Sequence, residues 1–85
     1  MPRPEALRVS LADKLYNVRS IVRDYRALGE GLWERFNAGR EDVLWYYRSL
    51  AEIFRRRAPG PMAGELDRTI DELERLISAP PHTQR

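Results

Sequence analysis

The stretch PEALRVSLADKLYNVRSIVRDYRAL, residues 4 to 28, decides the fold class of this chain. Apolar side chains recur in it at three- and four-residue spacing, which is the period of an amphipathic α-helix. Gly29 and Gly31 follow it, and glycine closes helices because it reaches left-handed backbone conformations at little steric cost. The sequence therefore predicts a long first helix with one broad apolar stripe, formed by Leu7, Leu11, Leu15, Val18, Ile21, Val22, Tyr25 and Leu28.

A smaller apolar side of the same helix carries Val9 and Tyr16, nearly opposite the main stripe. A helix that is apolar on two sides is typical of the inside of a bundle rather than of its surface. The first helix therefore indicates more neighbours than a chain of 85 residues provides.

A second helix is predicted over about residues 40–57, after a short turn or helix at residues 32–36. Asn37 is a good N-cap for this second helix. Its apolar arc covers about half of the circumference, wider than the roughly 100° stripe of a surface helix, so we expect it to be buried or to face a partner. Trp45 lies outside the arc and either packs on the preceding loop, which we favour, or marks a contact surface.

The helix breaker at residues 58–61, Ala-Pro-Gly-Pro, separates a third helix over about residues 62–78. Its narrow apolar stripe is typical of a terminal helix that docks by one face. Residues 79–85 contain two prolines and predict a flexible tail. We predict an all-α fold, a small bundle of three main helices that forms a single domain over residues 1–78.

Composition excludes several classes of protein. Charged residues of both signs are interspersed, and a net charge of +2 is too small to favour nucleic acid or a membrane surface as partner. The chain has no cysteine, which excludes disulfides and thiolate metal sites. No apolar run approaches a membrane span, so we expect a soluble, cytoplasmic protein. A chain this short buries only a small core, which favours oligomerisation as a supplement to its stability.

A strip of polar residues borders the main apolar stripe of the first helix and is a candidate wall of a cleft. Within it, Asp13 and Asn17 lie one helical turn apart, so a carboxylate suited to a divalent metal stands beside an amide suited to a substrate. On spacing alone, a solvated helix face is the commoner origin of such a pair. The strip consists of Ser10, Asp13, Asn17, Ser20 and Asp24.

The segment ALRVSLADKLYNVR, residues 6–19, closely resembles the last conserved helix of HD-superfamily metal-dependent phosphohydrolases, especially the branch related to alarmone (guanosine tetraphosphate) hydrolases. In that family the helix reads L-A-D-K/R-L-H/Y-N. The downstream runs LWERFNAG (32–39) and LWYY (44–47) look like the C-terminal part of bacterial HD-domain proteins. The resemblance covers roughly residues 6–54. It implies that Asp13 is the final aspartate ligand of a divalent metal, typically manganese, and that Asn17 lies against the nucleotide or its ribose.

The resemblance is incomplete at the metal site. Family members also bind the metal through an upstream histidine and a His-Asp pair, and no such residues precede Asp13 here. His82, the only histidine, follows two prolines and is expected to be exposed rather than a ligand. One carboxylate does not hold a catalytic metal that takes several protein ligands.

Three hypotheses follow from these features. The first is a truncated or partial HD-type phosphohydrolase domain that is inactive alone and self-associates through apolar faces left by missing helices. In the second, a separate chain supplies the histidines, and Asp13 and Asn17 serve a metal-dependent nucleotide (pyro)phosphohydrolase with Mn²⁺ or another divalent metal. The third is a helical interaction module that binds an acidic or phosphate-bearing partner through Trp45 and the arginines at 55–57, although those arginines also suit a helix C-terminus.

The first helix also carries a basic strip that could steer an anionic nucleotide, although such strips are more often solvated faces. Its members are Arg8, Arg19, Arg23 and Arg26. For partners we expect a second copy or another chain that covers the apolar helix faces, no membrane, and no nucleic acid.

Overall fold

The computed structural model describes residues 4–36 and 38–78 of the chain. Three α-helices are joined by short connections: α1 (Pro4–Leu28), α2 (Arg40–Arg57) and α3 (Pro61–Ser78), with a 3-10 helix (Gly29–Arg35) between α1 and α2. The described residues contain no strand. The prediction of an all-α bundle with three main helices is therefore confirmed.

The ends of the helices follow from backbone chemistry. α1 ends where Gly29 adopts a φ of 61°, a conformation that other residues rarely take. α2 begins after Gly39, which is its N-cap and offers no side-chain hydrogen bond. The predicted cap, Asn37, lies outside the described residues. α3 begins at Pro61, one residue earlier than predicted, because proline has the φ and the missing N–H that suit a first helical position.

The core lies between α3 and the other two helices, and α3 packs against both. Leu66, Ile70 and Leu73 of α3 are completely buried. They meet Leu11 and Val18 of α1, among other side chains, in two adjoining apolar clusters. α1 and α2 contact each other less extensively than either contacts α3, so α3 is the element that holds the bundle together.

Ion pairs border the apolar stripe of α3 on both sides, which explains most of the arginines that the sequence left without a role. Towards α1 and α2 they join Arg19 to Glu65 (3.0 Å), Arg26 to Glu72, Arg48 to Asp71 (2.8 Å) and Arg55 to Asp67 (3.1 Å). Exposed pairs of this kind contribute at most about 1 kcal/mol each. They set the orientation of α3 more than its stability.

Several large apolar side chains lie on the sides of α1 and α2 that α3 does not cover. Val9 and Tyr16 are 70% and 66% exposed, so in this chain the second apolar side of α1 faces solvent. Trp45 is 70% exposed, and the expectation that it packs on the preceding loop is wrong. Leu28, assigned to the main stripe, is also exposed because it lies at the last turn of α1, where the chain changes direction.

Candidate functional site

The candidate site is the seam between α1 and α2, where Asp13 and Asn17 face Tyr47 of α2. Both α1 residues lie close enough to affect the pKa of the Tyr47 hydroxyl, which Asn17 lowers and the charge of Asp13 raises. The arginines of α1 that pair with α3, Arg19 and Arg26, lie on another side of the helix. The structure therefore places the two predicted site residues together, away from α3.

Asp13 is open to solvent. Its side chain is 61% exposed, and its Oδ2 atom lies 3.5 Å from the Nζ atom of Lys14, the next residue along the helix. An exposed pair between neighbours is weak, since water screens both charges. The carboxylate is therefore accessible to a ligand or to a partner chain.

Tyr47 is the member of this group that the sequence did not reveal. Burial raises the pKa of the Tyr47 hydroxyl, and the adjacent Tyr46 raises it further. Asn17 lowers this pKa by hydrogen bonding, whereas the negative charge of Asp13 raises it. The hydroxyl therefore keeps its proton at neutral pH and offers a hydrogen-bond donor beside an amide and a carboxylate. A hydroxyl within the otherwise apolar arc of α2 was the available signal.

An aromatic pocket of about 340 Å³ adjoins this polar group. Tyr47 belongs to the polar group and also lines the pocket. The ring of Tyr46 stands nearly perpendicular to the ring of Tyr47, and the two ring centroids are 5.1 Å apart. Phe36, Ala38 and Val43 complete the apolar part of the lining, which also includes Asp42. The seam thus combines an apolar recess with a short polar strip.

The far end of the polar strip is closed by the 3-10 helix. Asp24 accepts a hydrogen bond from Arg35 at 3.3 Å and also lies 3.6 Å from Arg23. Ser10 and Ser20, the other predicted members, are half-buried. Among the residues of the predicted strip, Asp13 and Asn17 are the two that affect the pKa of Tyr47 on α2.

A neighbouring network ties the 3-10 helix to α1 and α2. The Tyr25 hydroxyl donates a hydrogen bond to Glu30 at 2.6 Å, and Arg40 donates to the same carboxylate at 3.2 Å. The hydrogen bond from Tyr25 holds the pKa of Glu30 below its usual value, and it raises the pKa of Tyr25. This network supports the aromatic pocket from behind, because Tyr25 and Phe36 both pack on Trp33.

The described residues do not by themselves fit the divalent metal that the HD resemblance implies. Within residues 4–36 and 38–78, no three His, Cys, Asp or Glu side chains come together as a group that could hold a metal ion. Asp13 has a lysine as its ion-pair partner rather than a second acid. His82 lies outside the described residues. A metal at Asp13 would need ligands from another chain.

Comparison of the chain with models of known protein families, with curated proteins and with solved structures found no match. In the described part of the chain, no helix is long and apolar enough to cross a membrane.

Proposed function

We propose that this chain is a partial HD-type phosphohydrolase domain that has no hydrolase activity alone and acts by docking another polypeptide along the α1–α2 seam. The observation that carries the proposal is the position of Asp13 and Asn17. They stand one turn apart, beside Tyr47, on a seam that α3 leaves open. The partner is a second copy of the chain or a separate chain, and the protein works in the cytoplasm.

Exposed apolar residues of α1 and α2 support docking. Val9 and Tyr16 of α1 are seven residues apart, as are Tyr46 and Ile53 of α2, so each pair lies on one side of its helix. Exposed apolar pairs of this kind on two helices are typical of surfaces that contact a partner. Helices packed there would give α1 and α2 the second layer that their wide apolar arcs predict.

Mn²⁺ titration calorimetry tests whether the chain alone holds the metal that HD-type hydrolysis would need. We expect no saturable binding to the purified chain or to the Asp13→Ala variant, because a single exposed carboxylate is a poor site for a divalent cation. Tight binding to the wild type that is lost in the variant would show that an oligomer completes a metal site. That result would overturn the claim that the chain alone lacks a metal site, and hydrolysis assays with nucleotide pyrophosphates would follow.

A second candidate function is an enzyme completed in trans, and the exposure of Asp13 favours it specifically. Here a separate chain brings the histidines, Asp13 becomes the last metal ligand, and Asn17 contacts the substrate. The experiment mixes this chain with a polypeptide that carries the upstream histidine helices, with Mn²⁺ and a nucleotide pyrophosphate present. Hydrolysis that disappears with Asp13→Ala, but persists with Glu41→Ala, an exposed acid of α2 that does not line the pocket, would establish it.

The interaction-module hypothesis centred on the arginines at 55–57 receives less support. Arg55 pairs with Asp67 of α3, and Arg56 pairs with Glu52 at 3.0 Å. These carboxylates already neutralise two of the three positive charges. We therefore do not propose this patch as the functional surface.

A further inference from the structure

A second concavity lies at the end of the bundle where α1 begins, α2 ends and α3 begins. This end groove has a volume of about 480 Å³, within the range of small-molecule sites, roughly 300–1,000 Å³. Leu7, Arg8 and Leu11 of α1 form one wall, Arg57 and residues 58–61 form the rim, and Met62 of α3 completes it. Neither Asp13 nor Asn17 lines the groove, so it is separate from the seam.

The charge of the end groove has one sign. Among the described residues, its lining contains two arginines and no carboxylate, and the first turn of α3 beside it has no acidic residue. Most arginines in the described part of the chain form ion pairs. Within residues 4–36 and 38–78, Arg8, Arg57 and Arg75 form none, and two of these three line the groove. The guanidinium charges of Arg8 and Arg57 are therefore available to an anionic ligand in the groove.

The floor of the end groove is apolar. Leu11 is buried, and Leu7, Ala58 and Met62 are half-buried side chains that pack on the core cluster around Leu66. An apolar group that enters the groove would remove part of this surface from water, which is favourable in proportion to the area covered. The groove therefore offers an apolar floor with two guanidinium groups at its rim.

We infer that the end groove binds a small amphiphilic anion, whose carboxylate or phosphate group pairs with Arg8 and Arg57 while its alkyl chain covers Leu7 and Met62. Arginine suits this role because its planar guanidinium matches the geometry of carboxylate and phosphate oxygens. The inference does not depend on the HD-type proposal, since no residue of the seam takes part.

Amide chemical-shift titrations of the full chain with octanoate and with octyl phosphate test the inference. We expect saturable shifts at Leu7, Leu11 and residues 58–62 that weaken as NaCl is raised, because salt screens exposed charges. The stronger of the two ligands identifies the preferred anionic group. Octyl glucoside, which keeps the chain without the charge, and acetate or inorganic phosphate, which keep the charge without the chain, should bind roughly tenfold more weakly.

Variants connect the binding to the two arginines. Arg8→Gln and Arg57→Gln should each weaken binding roughly twofold to fivefold, the range of an exposed ion pair. Arg8→Lys should retain part of the affinity because it keeps the charge. Arg75→Gln is the matched control, since Arg75 is also exposed and without an ion pair in the described residues but lies outside the groove. It should bind like the wild type.

Three results would overturn the inference. They are the absence of saturable shifts with both anions, octyl glucoside binding as strongly as the anions, and unchanged affinity in both arginine-to-glutamine variants. All of these side chains are exposed or at the rim, so the variants should fold, and the dispersion of their amide signals verifies this.

Discussion

The side of α1 and α2 that faces α3 and the side that α3 leaves exposed differ in how far their apolar and charged residues find partners among the described residues. On the side that faces α3, apolar residues are buried and arginines find carboxylates across the interface. On the sides that α3 does not cover, Tyr16 and Ile53 are exposed, and within residues 4–36 and 38–78 Asp13 pairs only with its neighbour Lys14. Both sides carry residues that are typical of an interface. Among the described residues, the side that faces α3 is covered and the other side is exposed. This difference is the main physical argument for a partner.

Truncation of the α3 core should have the largest effect on stability. Leu66→Ala removes a completely buried side chain and should lower the free energy of unfolding by about 2–5 kcal/mol, enough to unfold much of so small a domain. Ile53→Ala on the seam side, where the side chain is 47% exposed, is the matched control and should cost about 0.5 kcal/mol or less in the monomer. Urea denaturation measures both. Equal losses would remove the distinction between the two sides.

Charge placed on the seam side should disrupt association. If the seam docks a second copy, Ile53→Glu and Tyr16→Glu should raise the dissociation constant by about tenfold or more, because each buries a charge without a partner. Sedimentation equilibrium over a range of concentrations provides the measurement. Trp45→Glu is the control: Trp45 is 70% exposed, but helical spacing places it among charged residues on another side of α2. A monomer at all concentrations would point to a different chain as partner.

The pKa of the Tyr47 hydroxyl should change when Asp13 on the seam is substituted. Its pKa is raised in the folded state, so its contribution to stability is complete below the usual tyrosine value, about 10, and is lost as pH rises through the folded value. Asp13→Asn should lower this pKa, because the charge of Asp13 raises it. Tyrosinate absorbance during alkaline titration, with Tyr47→Phe identifying the signal, tests this prediction. An unchanged Tyr47 titration in Asp13→Asn would show that the charge of Asp13 does not act on the Tyr47 hydroxyl.

The ion pairs around α3 should have the smallest effects. Glu65→Gln breaks the contact with Arg19 and should change stability only slightly, and less in high salt. Arg19 and Arg68 hold the pKa of Glu65 below its usual value, Arg68 through the larger effect. This contribution is present above the ordinary glutamate pKa, about 4.3, and is lost as pH falls through the lower folded value. Thermal melts between pH 3 and 7, with and without Glu65→Gln, should show it.

The sequence by itself determined the three helices, because helical periodicity and glycine or proline breaks are local properties. It also placed Leu11, Leu15 and Val18 in the core, and it placed Asp13 and Asn17 on one face of α1. Their catalytic or binding roles stay a prediction. Local spacing reveals which residues share a face of a helix, whatever that face later meets.

Only the tertiary structure decided which faces are covered and which charges are neutralised. Arg19 meets Glu65 across 46 residues of sequence, and Tyr47 meets Asn17 from a different helix, so neither contact has a local signature. Trp45 was misplaced for the same reason, since its exposure depends on where α1 and α3 pack around α2. The apolar pattern of a helix indicates how much of its surface is suited to burial, whereas the packing of the whole chain determines which part of that surface is buried.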